Sequence, residues 1–538
     1  MQPLTLSEGG GRKALDSTCT NWYEVGPDAG HHEGGESMAH AEVEERQLLK
    51  AMTWWDGFVV ALANPGFLIA ALGGSIGALG TTGAFVLWSI SITLGALQNN
   101  VHAELAAMFP NKSGGIALYA HEAWRKYLTL IGPLATFGYW IGWSVVLSIN
   151  GLVAGSLIQA EWFSDSTWAE SAGTFDLNLA IAIGIGLIVL VWAFNVYGVR
   201  PAVWFGYVTG ALLIIPAFVL MFLPYITGEW SSSNMEWAIG ANGGLALALV
   251  WLYFMCWSSY GIEVVATFAP EYQDTERDTA RALRAAALFS AVVYVLLPLG
   301  VGGTLGTTVI SEGSLTLTFY GDAFDAIVGS GLANVMIFCV VAGLVLSMNT
   351  ATMDGSRALY GISKDGMTIK ELGVLNRHHV PGRAMTIDAI LNIFLISAFA
   401  GVLEILAVSN VGYVFATCTA LSAFILLRRD RPNWPRPIRL PDFWVPLAAV
   451  LFLINFTFLI AGGFVWSGGF LGIEGYGYGW DKTRSGLLVL LAALILYIWR
   501  HVVQDKIPLR LREEVPQTPE EERAHAELKA APTAAPAG

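Results

Sequence analysis

The chemistry available to this chain lies mainly in backbone groups beside two weak points in long apolar runs. The first weak point is residues 64–66, Asn-Pro-Gly, inside the apolar run 57–79. Proline removes one helical hydrogen bond and clashes with the preceding turn, and the adjacent glycine costs little to unwind. A break here would free carbonyls near 61–64 and N–H groups near 67–70, which lipid cannot satisfy. Such N–H groups attract anions; the alternative is a simple proline kink.

The second weak point is residues 257–261, Trp-Ser-Ser-Tyr-Gly, in the middle of the run 243–268. Small polar residues at this depth either serve ordinary helix packing or mark a second interruption. Interrupted helices at corresponding positions in two halves of a chain indicate a transporter's binding site. The two weak points lie in the first and sixth apolar runs, which is the spacing that an inverted repeat of five helices requires. The halves show no residue-level similarity, so the repeat is inferred from this spacing.

Long apolar runs make up most of the chain. Hydrophobic residues are 54% of the 538 residues and charged residues only 13%, whereas an average soluble domain has about 25% charged residues. A helix of about 20 apolar residues spans a bilayer. The sequence therefore predicts an all-α membrane protein with about twelve transmembrane helices, at 57–79, 83–108, 129–159, 177–197, 202–225, 243–268, 284–306, 331–353, 384–400, 403–427, 443–466 and 484–501.

Lys and Arg are distributed unevenly among the loops between these runs. If the amino terminus is cytoplasmic, the outer loops 161–176, 226–242 and 307–330 carry no Lys or Arg, whereas the inner loops carry many. Cytoplasmic loops are enriched in these residues. The pattern predicts a multi-pass protein of the plasma (inner) membrane with both termini cytoplasmic, and only Lys482 and Arg484 depart from it.

The charge and the motifs exclude several classes of function. The net charge is −13, without the basic face of a nucleic-acid-binding protein, so we expect no nucleic-acid partner. The chain lacks a Gly-rich ATP-binding loop with Lys and Ser or Thr, and its four cysteines match no metal-binding spacing. We therefore predict no enzyme activity, no cofactor and no metal site. The sequence does not define an oligomeric state.

Further motifs follow in order along the chain. They are 103–110 (Ala-Glu-Leu-Ala-Ala-Met-Phe-Pro) with 113–115 and Tyr119, 260–266 (Tyr-Gly-Ile-Glu-Val-Val-Ala) with 270–271, and 357–360 with 365–366 and Pro381. Together with Trp-Asp at 55–56, they resemble the signature of permeases of the amino acid–polyamine–organocation (APC) superfamily. The resemblance covers residues 55 to about 440. It implies twelve helices in a leucine-transporter-like 5+5 inverted repeat (the APC fold), broken helices 1 and 6, and alternating access.

The resemblance also implies a substrate site. In the family, the substrate carboxylate meets N–H groups at the break in helix 1, which correspond here to Gly66, Phe67 and Leu68. The substrate ammonium meets carbonyls at both breaks, and the corresponding residues here are Ala63, Asn64, Trp257, Ser258, Tyr260 and Gly261. We expect Trp257 and Tyr260 to form pocket walls. The family's Gly-rich run at the first break is replaced here by Asn-Pro-Gly, which leaves the identity of the substrate open.

Ionisable residues inside membrane spans are functional hypotheses by default. Glu104, near the end of the second run, is predicted to pair structurally, with coupling or gating as the alternative. Glu263, one turn beyond the second weak point, either pairs with a cytoplasmic arginine or lines the inner vestibule. Asp354 and Asp388 are expected to cap helix ends or to pair with nearby arginines.

The coupling ion stays open at the level of sequence. Proton-coupled relatives often carry a lysine on helix 5, but the run 202–225 has no Lys, Arg, Asp or Glu. Sodium-coupled members of the fold use helix 1 carbonyls and helix 8 hydroxyls, and Ser347 and Thr350 are the candidates here. Such hydroxyls usually bond to their own helix backbone instead. Na⁺ coupling, H⁺ coupling, uniport and exchange remain alternatives.

The sequence thus predicts a secondary active transporter, a permease or exchanger, for an amino acid or a related organic amine. Its partners are this small molecule and the lipid bilayer. The alternatives are a polyamine transporter of the same fold and a membrane sensor or receptor on a transporter scaffold. Residues 55–505 are predicted to form the transporter domain, between disordered cytoplasmic tails at 1–54 and 506–538.

Overall fold

The apolar runs fold into helices because a helix satisfies its own backbone N–H and C=O groups, for which lipid offers no partner. The computed structural model describes residues 47–172, 175–314, 317–399, 401–467 and 479–521. The first helices are α1 (Trp54–Ala61), α2 (Asn64–Leu79), α3 (Thr81–Met108), α4 (Gly115–Trp124), α5 (Ile131–Ser144), α6 (Val146–Trp162), α7 (Leu179–Val196), α8 (Val199–Thr227) and α9 (Ile239–Asn242). They are followed by α10 (Gly244–Ser259), α11 (Thr275–Glu312), α12 (Phe319–Val328), α13 (Ser330–Lys364), α14 (Gly382–Ala398), α15 (Val402–Asp430), α16 (Trp444–Thr457) and α17 (Trp480–Trp499).

Shorter elements complete the described residues. An antiparallel hairpin of β1 (Ala169–Ala172) and β2 (Phe175–Asn178), with Ala169 opposite Asn178, lies between α6 and α7. The sequence predicted a loop here, because strands this short and exposed carry no apolar alternation. The 3₁₀-helices are Ser232–Asn234, Gly261–Glu271 and Lys370–Gly373, and the π-helices are Phe458–Ser467 and Arg500–Asp505.

Within the described residues, 11 helical stretches are long and apolar enough to cross a membrane. They are Trp54–Leu79, Thr81–Met108, Ile131–Trp162, Leu179–Val196, Val199–Thr227, Gly244–Glu271, Thr275–Glu312, Ser330–Lys364, Glu404–Asp430, Trp444–Ser467 and Trp480–Asp505. This confirms a multi-pass helical membrane protein with one span fewer than predicted. The difference is the predicted span 384–400, where α14 has only 17 residues, a length of about 26 Å. The helix ends there because Phe399 is extended, with φ −125° and ψ 118°.

The first membrane-spanning stretch is interrupted between α1 and α2. The interruption consists of Leu62 and Ala63, which form a turn, and is called the helix 1 break below. It lies just before the predicted position, and the reason is Pro65. Pro65 has no N–H to donate to the Ala61 carbonyl, and its ring would clash with that carbonyl in a continuous helix. Pro65 is instead accommodated in the first turn of α2, where its missing N–H has no cost.

The sixth stretch, Gly244–Glu271, changes its helix type near its middle. The α-helix α10 ends at Ser259, and after Tyr260 the chain continues as the 3₁₀-helix Gly261–Glu271, which has 11 residues. Most 3₁₀-helices are limited to three or four residues, and a long one inside a helix often marks a hinge. Tyr260 is called the helix 6 break below. The second predicted weak point is therefore a change of backbone geometry at Tyr260.

Close helix packing holds the two interrupted helices in the centre of the bundle. Helix α2 packs against α11 and α13, and α5 packs against α13 and α15. At the crossing of α5 with α15, a Cβ added to Gly138 would overlap the Gly412 carbonyl. Small residues allow membrane helices to approach this closely.

The start of the first stretch is tied to the end of the sixth. The N–H groups of Ala51 and Met52 donate to the Glu271 carbonyl at 3.0 and 2.9 Å. The Glu271 carboxylate accepts two hydrogen bonds from the guanidinium of Arg357 on α13, and both side chains are buried. These contacts fix α1, the 3₁₀-helix and α13 relative to one another on one side of the two breaks.

The predicted tails lie only partly within the described residues. Residues 1–46 and 522–538 are outside them. The segment 506–521 follows the loop before α5: Thr129 donates through its N–H to the Leu511 carbonyl at 3.0 Å and through its hydroxyl to the Arg510 carbonyl at 2.7 Å. The Glu513 N–H also donates to the Arg125 carbonyl at 2.8 Å. This part of the predicted tail is thus hydrogen-bonded to the loop 125–129.

Candidate functional site

Residues beside the two breaks, Asn64 and Ser258, meet at the hydroxyl group of Tyr294 on α11. This hydroxyl lies 2.9 Å from the Asn64 carbonyl oxygen and 2.8 Å from the Ser258 carbonyl oxygen, and 2.7 Å from the Ser258 hydroxyl. All three residues are buried. A phenol carries one hydrogen, so it can donate to only one of the two carbonyls at a time. The junction therefore offers more acceptors than Tyr294 can satisfy, which suits an ammonium group with three donors.

The Asn64 side chain adds another acceptor to this junction. Its Nδ2 donates to the Ser290 hydroxyl at 3.2 Å, whereas its Oδ1 has no partner among the described residues. A Cβ added to Gly261 would lie 2.8 Å from that Oδ1 and 3.1 Å from the Phe67 ring. Glycine at 261 thus permits the close approach of the two interrupted helices.

Aromatic side chains enclose a narrow space beside the junction. The ring centroid of Phe67 lies 5.4 Å from that of Trp143 and 5.4 Å from that of Trp257. The indole N–H of Trp257 donates to the Gly142 carbonyl at 2.8 Å, which fixes the ring. This aromatic chamber has about 160 Å³ of unoccupied volume and is lined by Phe67, Gly142, Trp143, Val146, Trp257 and Tyr413. It is too narrow for a water molecule, so a substrate can enter only if the rings separate.

Helix α13 supplies hydroxyl groups to the helix 1 break. The Ser347 hydroxyl donates to the Ala63 carbonyl at 2.7 Å, and the Thr350 hydroxyl donates to the Val60 carbonyl at 3.0 Å. Ser347 also bonds to its own backbone at Gly343, at 3.1 Å. The predicted oxygen atoms are therefore brought together, and oxygen donors suit a hard cation. In this conformation each hydroxyl hydrogen lies in a direct hydrogen bond, between Ser347 and the Ala63 carbonyl and between Thr350 and the Val60 carbonyl.

The predicted carboxylate position at the start of α2 is occupied by protein atoms. The Gly66 N–H donates to the Ala63 carbonyl at 3.0 Å, so it is engaged within the break. A Cβ added to Gly66 would overlap the Ser347 hydroxyl and lie 2.9 Å from the Gly343 carbonyl. Leu68 is completely buried. An anion would reach this helix start only after α2 and α13 move apart.

Tyr260 does not line the aromatic chamber, so the expectation that it forms a pocket wall stays a prediction. Its ring packs against α3, where a Cβ added to Gly95 would lie 3.1 Å from it. Its hydroxyl is buried without a hydrogen-bond partner among the described residues.

The buried acids of the spans have different partners from those predicted. Glu263 accepts hydrogen bonds from the Tyr413 hydroxyl at 2.5 Å and the Trp143 indole at 3.2 Å. Asp354 accepts from Tyr139 at 3.1 Å and Asp388 from Trp140 at 3.0 Å. The expected pairing of these aspartates with Arg357 or Arg383 is wrong within the described residues. Arg357 is bound instead by Glu271, which reaches it from another helix.

Glu104 is held in an ion-pair cluster at the end of α3. Its carboxylate lies 2.6 Å from Arg428 and 3.5 Å from Arg436, and it accepts the Leu440 N–H at 2.7 Å. The side chain is completely buried. These contacts support the structural alternative for Glu104, because every bond joins α3 to the end of α15 and the loop after it.

Sequence reasoning missed the tyrosine that joins the two breaks and the aromatic residues of α5. Tyr294 stands alone in an apolar run, where a tyrosine is unremarkable. The run Phe-Gly-Tyr-Trp-Ile-Gly-Trp at 137–143 is a stronger signal, because tyrosine and tryptophan usually find hydrogen-bond partners when buried. Four aromatic residues within two helical turns at mid-span could have indicated a polar neighbourhood.

One group of possible metal ligands occurs among the described residues. The ligand atoms of His121, Glu122 and Asp365 lie within 4.8 Å of one another. Glu122, however, already forms ion pairs with Lys112 at 2.6 Å, Arg125 at 2.9 Å and Arg431 at 2.5 Å. Burial, followed by the charge of Arg125, lowers the pKa of His121 to about 3. The cations already neutralise Glu122, so the group acts as an ion-pair cluster between α4 and the neighbouring loops.

A bundle of membrane-spanning helices with two facing interruptions, backbone acceptors and an aromatic chamber defines a membrane transport protein. The family model for amino acid permeases matches residues 52–471. Since this match covers most of the chain, the chain belongs to the amino acid permease family. It is therefore a membrane amino acid transporter, as the motifs predicted, and not an enzyme.

Individual relatives are distant but extend over most of the chain. The D-serine/D-alanine/glycine transporter of Escherichia coli (strain K12) is 24% identical over 431 residues, covering 73% of this chain and 87% of the relative. The amino-acid permease RocE of Bacillus subtilis (strain 168) is 23% identical over 424 residues, 74% of this chain and 82% of the relative. The polyamine transporter PUT1 of Oryza sativa subsp. japonica is 27% identical over 369 residues, 66% of this chain and 62% of the relative.

Proposed function

We propose that this permease carries a small α-amino acid by alternating access, with the amino acid bound between the helix 1 break and the helix 6 break. The observation that carries the proposal is the convergence of the Asn64 and Ser258 carbonyls on the single hydroxyl of Tyr294. An ammonium group can satisfy both carbonyls at once, because it has three donors. The aromatic chamber beside them is closed even to water, so a small side chain requires the least separation of its rings.

The two ends of the substrate would use different parts of the site. The ammonium takes the carbonyl side, formed by Ala63, Asn64, Trp257, Ser258 and Tyr260. The carboxylate takes the start of α2 at Gly66, Phe67 and Leu68, where the helix dipole favours an anion. This binding requires the Gly66 N–H to leave the Ala63 carbonyl and Ser347 to move aside. Opening and closing of the helix 1 break is thus part of substrate binding in the proposal.

The proposed architecture is the twelve-helix APC fold with a 5+5 inverted repeat and both termini cytoplasmic, in the plasma (inner) membrane. Its support is the position of the breaks, which interrupt the first and sixth membrane-spanning stretches. Corresponding interruptions in two halves are typical of inverted-repeat transporters. The loops without Lys or Arg support the proposed orientation, because cytoplasmic loops are enriched in these residues. Helix α14 supplies the twelfth span if its 17 residues lie where the bilayer is thin.

A polyamine substrate is the second candidate, and one observation favours it. The Glu263 carboxylate contacts two chamber residues, Trp143 and Tyr413. A second amine of a longer substrate could reach this carboxylate if the chamber rings separate. A diamine such as putrescine therefore belongs in the test beside the small amino acids.

The test is uptake and exchange by the purified protein in liposomes. Labelled glycine, alanine, serine in both enantiomers, γ-aminobutyric acid and putrescine are each offered outside liposomes preloaded with the same compound. We expect saturable exchange of at least one small amino acid, and none in protein-free liposomes. Exchange of putrescine alone would replace the amino acid by a polyamine. Failure to exchange any of these compounds would refute the proposal.

A further inference from the structure

Three buried carboxyl groups accept hydrogen bonds from aromatic side chains within little more than one turn of helix α5. Glu263, Asp354 and Asp388 come from three different elements and are at most 2% exposed. Each accepts one hydrogen bond from an aromatic side chain of α5: Glu263 Oε1 from Trp143 Nε1 at 3.2 Å, Asp354 Oδ1 from the Tyr139 hydroxyl at 3.1 Å, and Asp388 Oδ1 from Trp140 Nε1 at 3.0 Å. The three donors lie within residues 139–143, which rise only about 6 Å along a helix. Asp354 interacts electrostatically with Glu263 and with Asp388, and the three acids are called the acid ladder here.

No cation balances the acid ladder among the described ion pairs. Arg357, one turn after Asp354 on α13, is held by Glu271. The second oxygen of each acid has no hydrogen-bond partner among the described residues. A buried ionised carboxylate without a counter-charge costs several kcal/mol. The fold therefore favours protonated carboxyl groups here, with a proton on an oxygen that no other group occupies.

The other ionisable groups that face the ladder are neutral or engaged elsewhere. They are Tyr413 of α15, Tyr139 of α5, Tyr294 of α11 and Arg357 of α13. Charged groups on the other elements packed around the 3₁₀-helix have their own partners: Asp56 of α1 with Tyr207, Glu104 of α3 with Arg428, and Glu122 of α4 with Lys112. The ladder therefore depends on protons for its charge balance.

We propose that Asp354, flanked by Glu263 and Asp388, binds the proton that couples substrate movement to a proton gradient. The inference rests on the proposed function, because it assigns a coupling ion to the same transport cycle. The three acids lie on the 3₁₀-helix Gly261–Glu271, on α13 and on α14. The absence of a lysine in the run 202–225 therefore does not oppose the proposal. The hydroxyl–carbonyl bonds of Ser347 and Thr350 remain as helix contacts.

The ladder is connected to the substrate site through the chamber wall. Trp143 and Tyr413, which hold Glu263, also line the aromatic chamber. Tyr413 stacks on Tyr139, with ring centroids 6.2 Å apart, and Tyr139 donates to Asp354. When substrate separates the chamber rings, the hydrogen bonds to both acids change together. This gives substrate binding a direct path to the protonation of Asp354.

The proton step balances without any further reactant. On the side of higher proton concentration, hydronium gives one proton to a carboxylate oxygen of the ladder and leaves one water molecule. The resulting carboxyl group is neutral, so the protein can pass through the closed state of the transport cycle without burying a charge. On the opposite side a water molecule accepts the proton, and the carboxylate forms again in a hydrated site.

The test uses the full-length protein in liposomes, with whichever small amino acid exchanges in the panel above as the probe. With one proton per substrate, an acid-outside gradient of about one pH unit supports up to about tenfold accumulation, since one unit is a tenfold proton ratio. A dye inside the liposomes should report acidification when the probe is added. We expect a sodium gradient at equal pH to produce no accumulation.

Asp354→Asn should abolish gradient-driven accumulation and dye acidification while exchange at equal pH persists. The amide resembles the protonated acid and can still accept the Tyr139 hydrogen bond, so a purely structural role would leave accumulation intact. Asp388→Asn is the second variant, with a reduced accumulation ratio expected. Asp325→Asn, which removes an exposed acid of α12, is the matched control and should behave as wild type.

Each outcome decides the inference separately from the proposed function. Absence of any exchange by the wild-type protein refutes the proposed function itself. Exchange without proton-driven accumulation, or accumulation driven by sodium, overturns the proton inference and leaves the permease intact. Full proton-driven accumulation by Asp354→Asn also overturns it. Loss of exchange in both Asn variants, with normal Asp325→Asn, counts against it as well, because neutral mimics of the acids should preserve exchange.

Discussion

Replacing Tyr294 by phenylalanine removes a hydroxyl group that bonds to residues beside both breaks. The substitution deletes a hydroxyl and leaves the ring, so the packing of α11 is retained. In the substrate-free site, the hydroxyl serves the Asn64 and Ser258 carbonyls at 2.9 and 2.8 Å. In the proposed substrate complex, the ammonium serves the same carbonyls. The two donors therefore compete, and removing one of them should favour the other.

The size of the effect follows from the number of hydrogens. The Tyr294 hydroxyl donates a single hydrogen, so the substrate-free site loses one neutral hydrogen bond to a carbonyl, worth about 1 kcal/mol. The bond between the Tyr294 and Ser258 hydroxyls is lost from the free and the bound state alike and cancels. The complex loses none of its ammonium–carbonyl bonds. Substrate should then bind about fivefold more tightly, since about 1.4 kcal/mol corresponds to a factor of ten in Kd. Exchange should become slower, because release of substrate leaves both carbonyls without a donor.

The assay is equilibrium binding of a labelled substrate to purified protein, together with the rate of exchange in liposomes. Tyr320→Phe is the matched control, because the Tyr320 hydroxyl makes an equivalent buried bond to the Ile69 carbonyl of α2 at 3.1 Å, away from the break. We expect its Kd to be unchanged. Weaker binding by Tyr294→Phe would refute the competition and show that the hydroxyl contacts the substrate. An unchanged Kd in both variants would show that these carbonyls do not bind the ammonium.

Two further substitutions test the surroundings of the breaks. Gly66→Ala should abolish exchange without loss of membrane insertion, because the added Cβ overlaps the Ser347 hydroxyl. Gly186→Ala is the control and should exchange normally, because its added Cβ lies in open space. Normal exchange by Gly66→Ala would contradict the close contact. Arg357→Met should lower the free energy of unfolding by about 3–5 kcal/mol, because it leaves a buried carboxylate unpaired. Thermal unfolding in detergent checks this, with the exposed ion pair of Arg439 as the control, where Arg439→Met should cost less than about 1 kcal/mol.

Much of the fold could be predicted because proline, hydropathy and length act locally. Pro65 indicated the helix 1 break, and its missing N–H explains why the turn, at Leu62 and Ala63, lies just before the predicted residues 64–66. The Ser-Ser-Tyr-Gly run at 258–261 indicated the second interruption. Its 3₁₀ continuation could not be predicted, since tertiary contacts and not propensity stabilise so long a 3₁₀ segment. The short length of α14 could not be predicted, because apolar residues continue past its end at Ala398.

The candidate site could be predicted only where the chain itself is interrupted. Asn64 and Ser258 lie beside the two interruptions and both bond to Tyr294, and Gly261 lies against the Asn64 side chain. Their role in binding substrate stays a prediction. Tyr294 could not be predicted, since its importance comes from two carbonyls on other helices. For Asp354, the sequence suggested a partner that the structure gives to another residue. Its nearest arginine in sequence suggested a pair, but that arginine is bound by a carboxylate from another element.

The distribution of hydrogen-bond partners indicates which parts of the molecule change during transport. Each side-chain nitrogen of Arg357 has a hydrogen-bond partner, and its pair with Glu271 joins α13 to the 3₁₀-helix Gly261–Glu271. At the breaks and the acid ladder, by contrast, Asn64 Oδ1 and Asp354 Oδ2 have no partner among the described residues, and Tyr294 serves two carbonyls with one hydrogen. A buried polar group without a partner costs about 1–3 kcal/mol. A fold tolerates that cost where another state or a ligand supplies the partner, so the Arg357–Glu271 pair should persist through the cycle while the contacts of Tyr294 and Asp354 exchange.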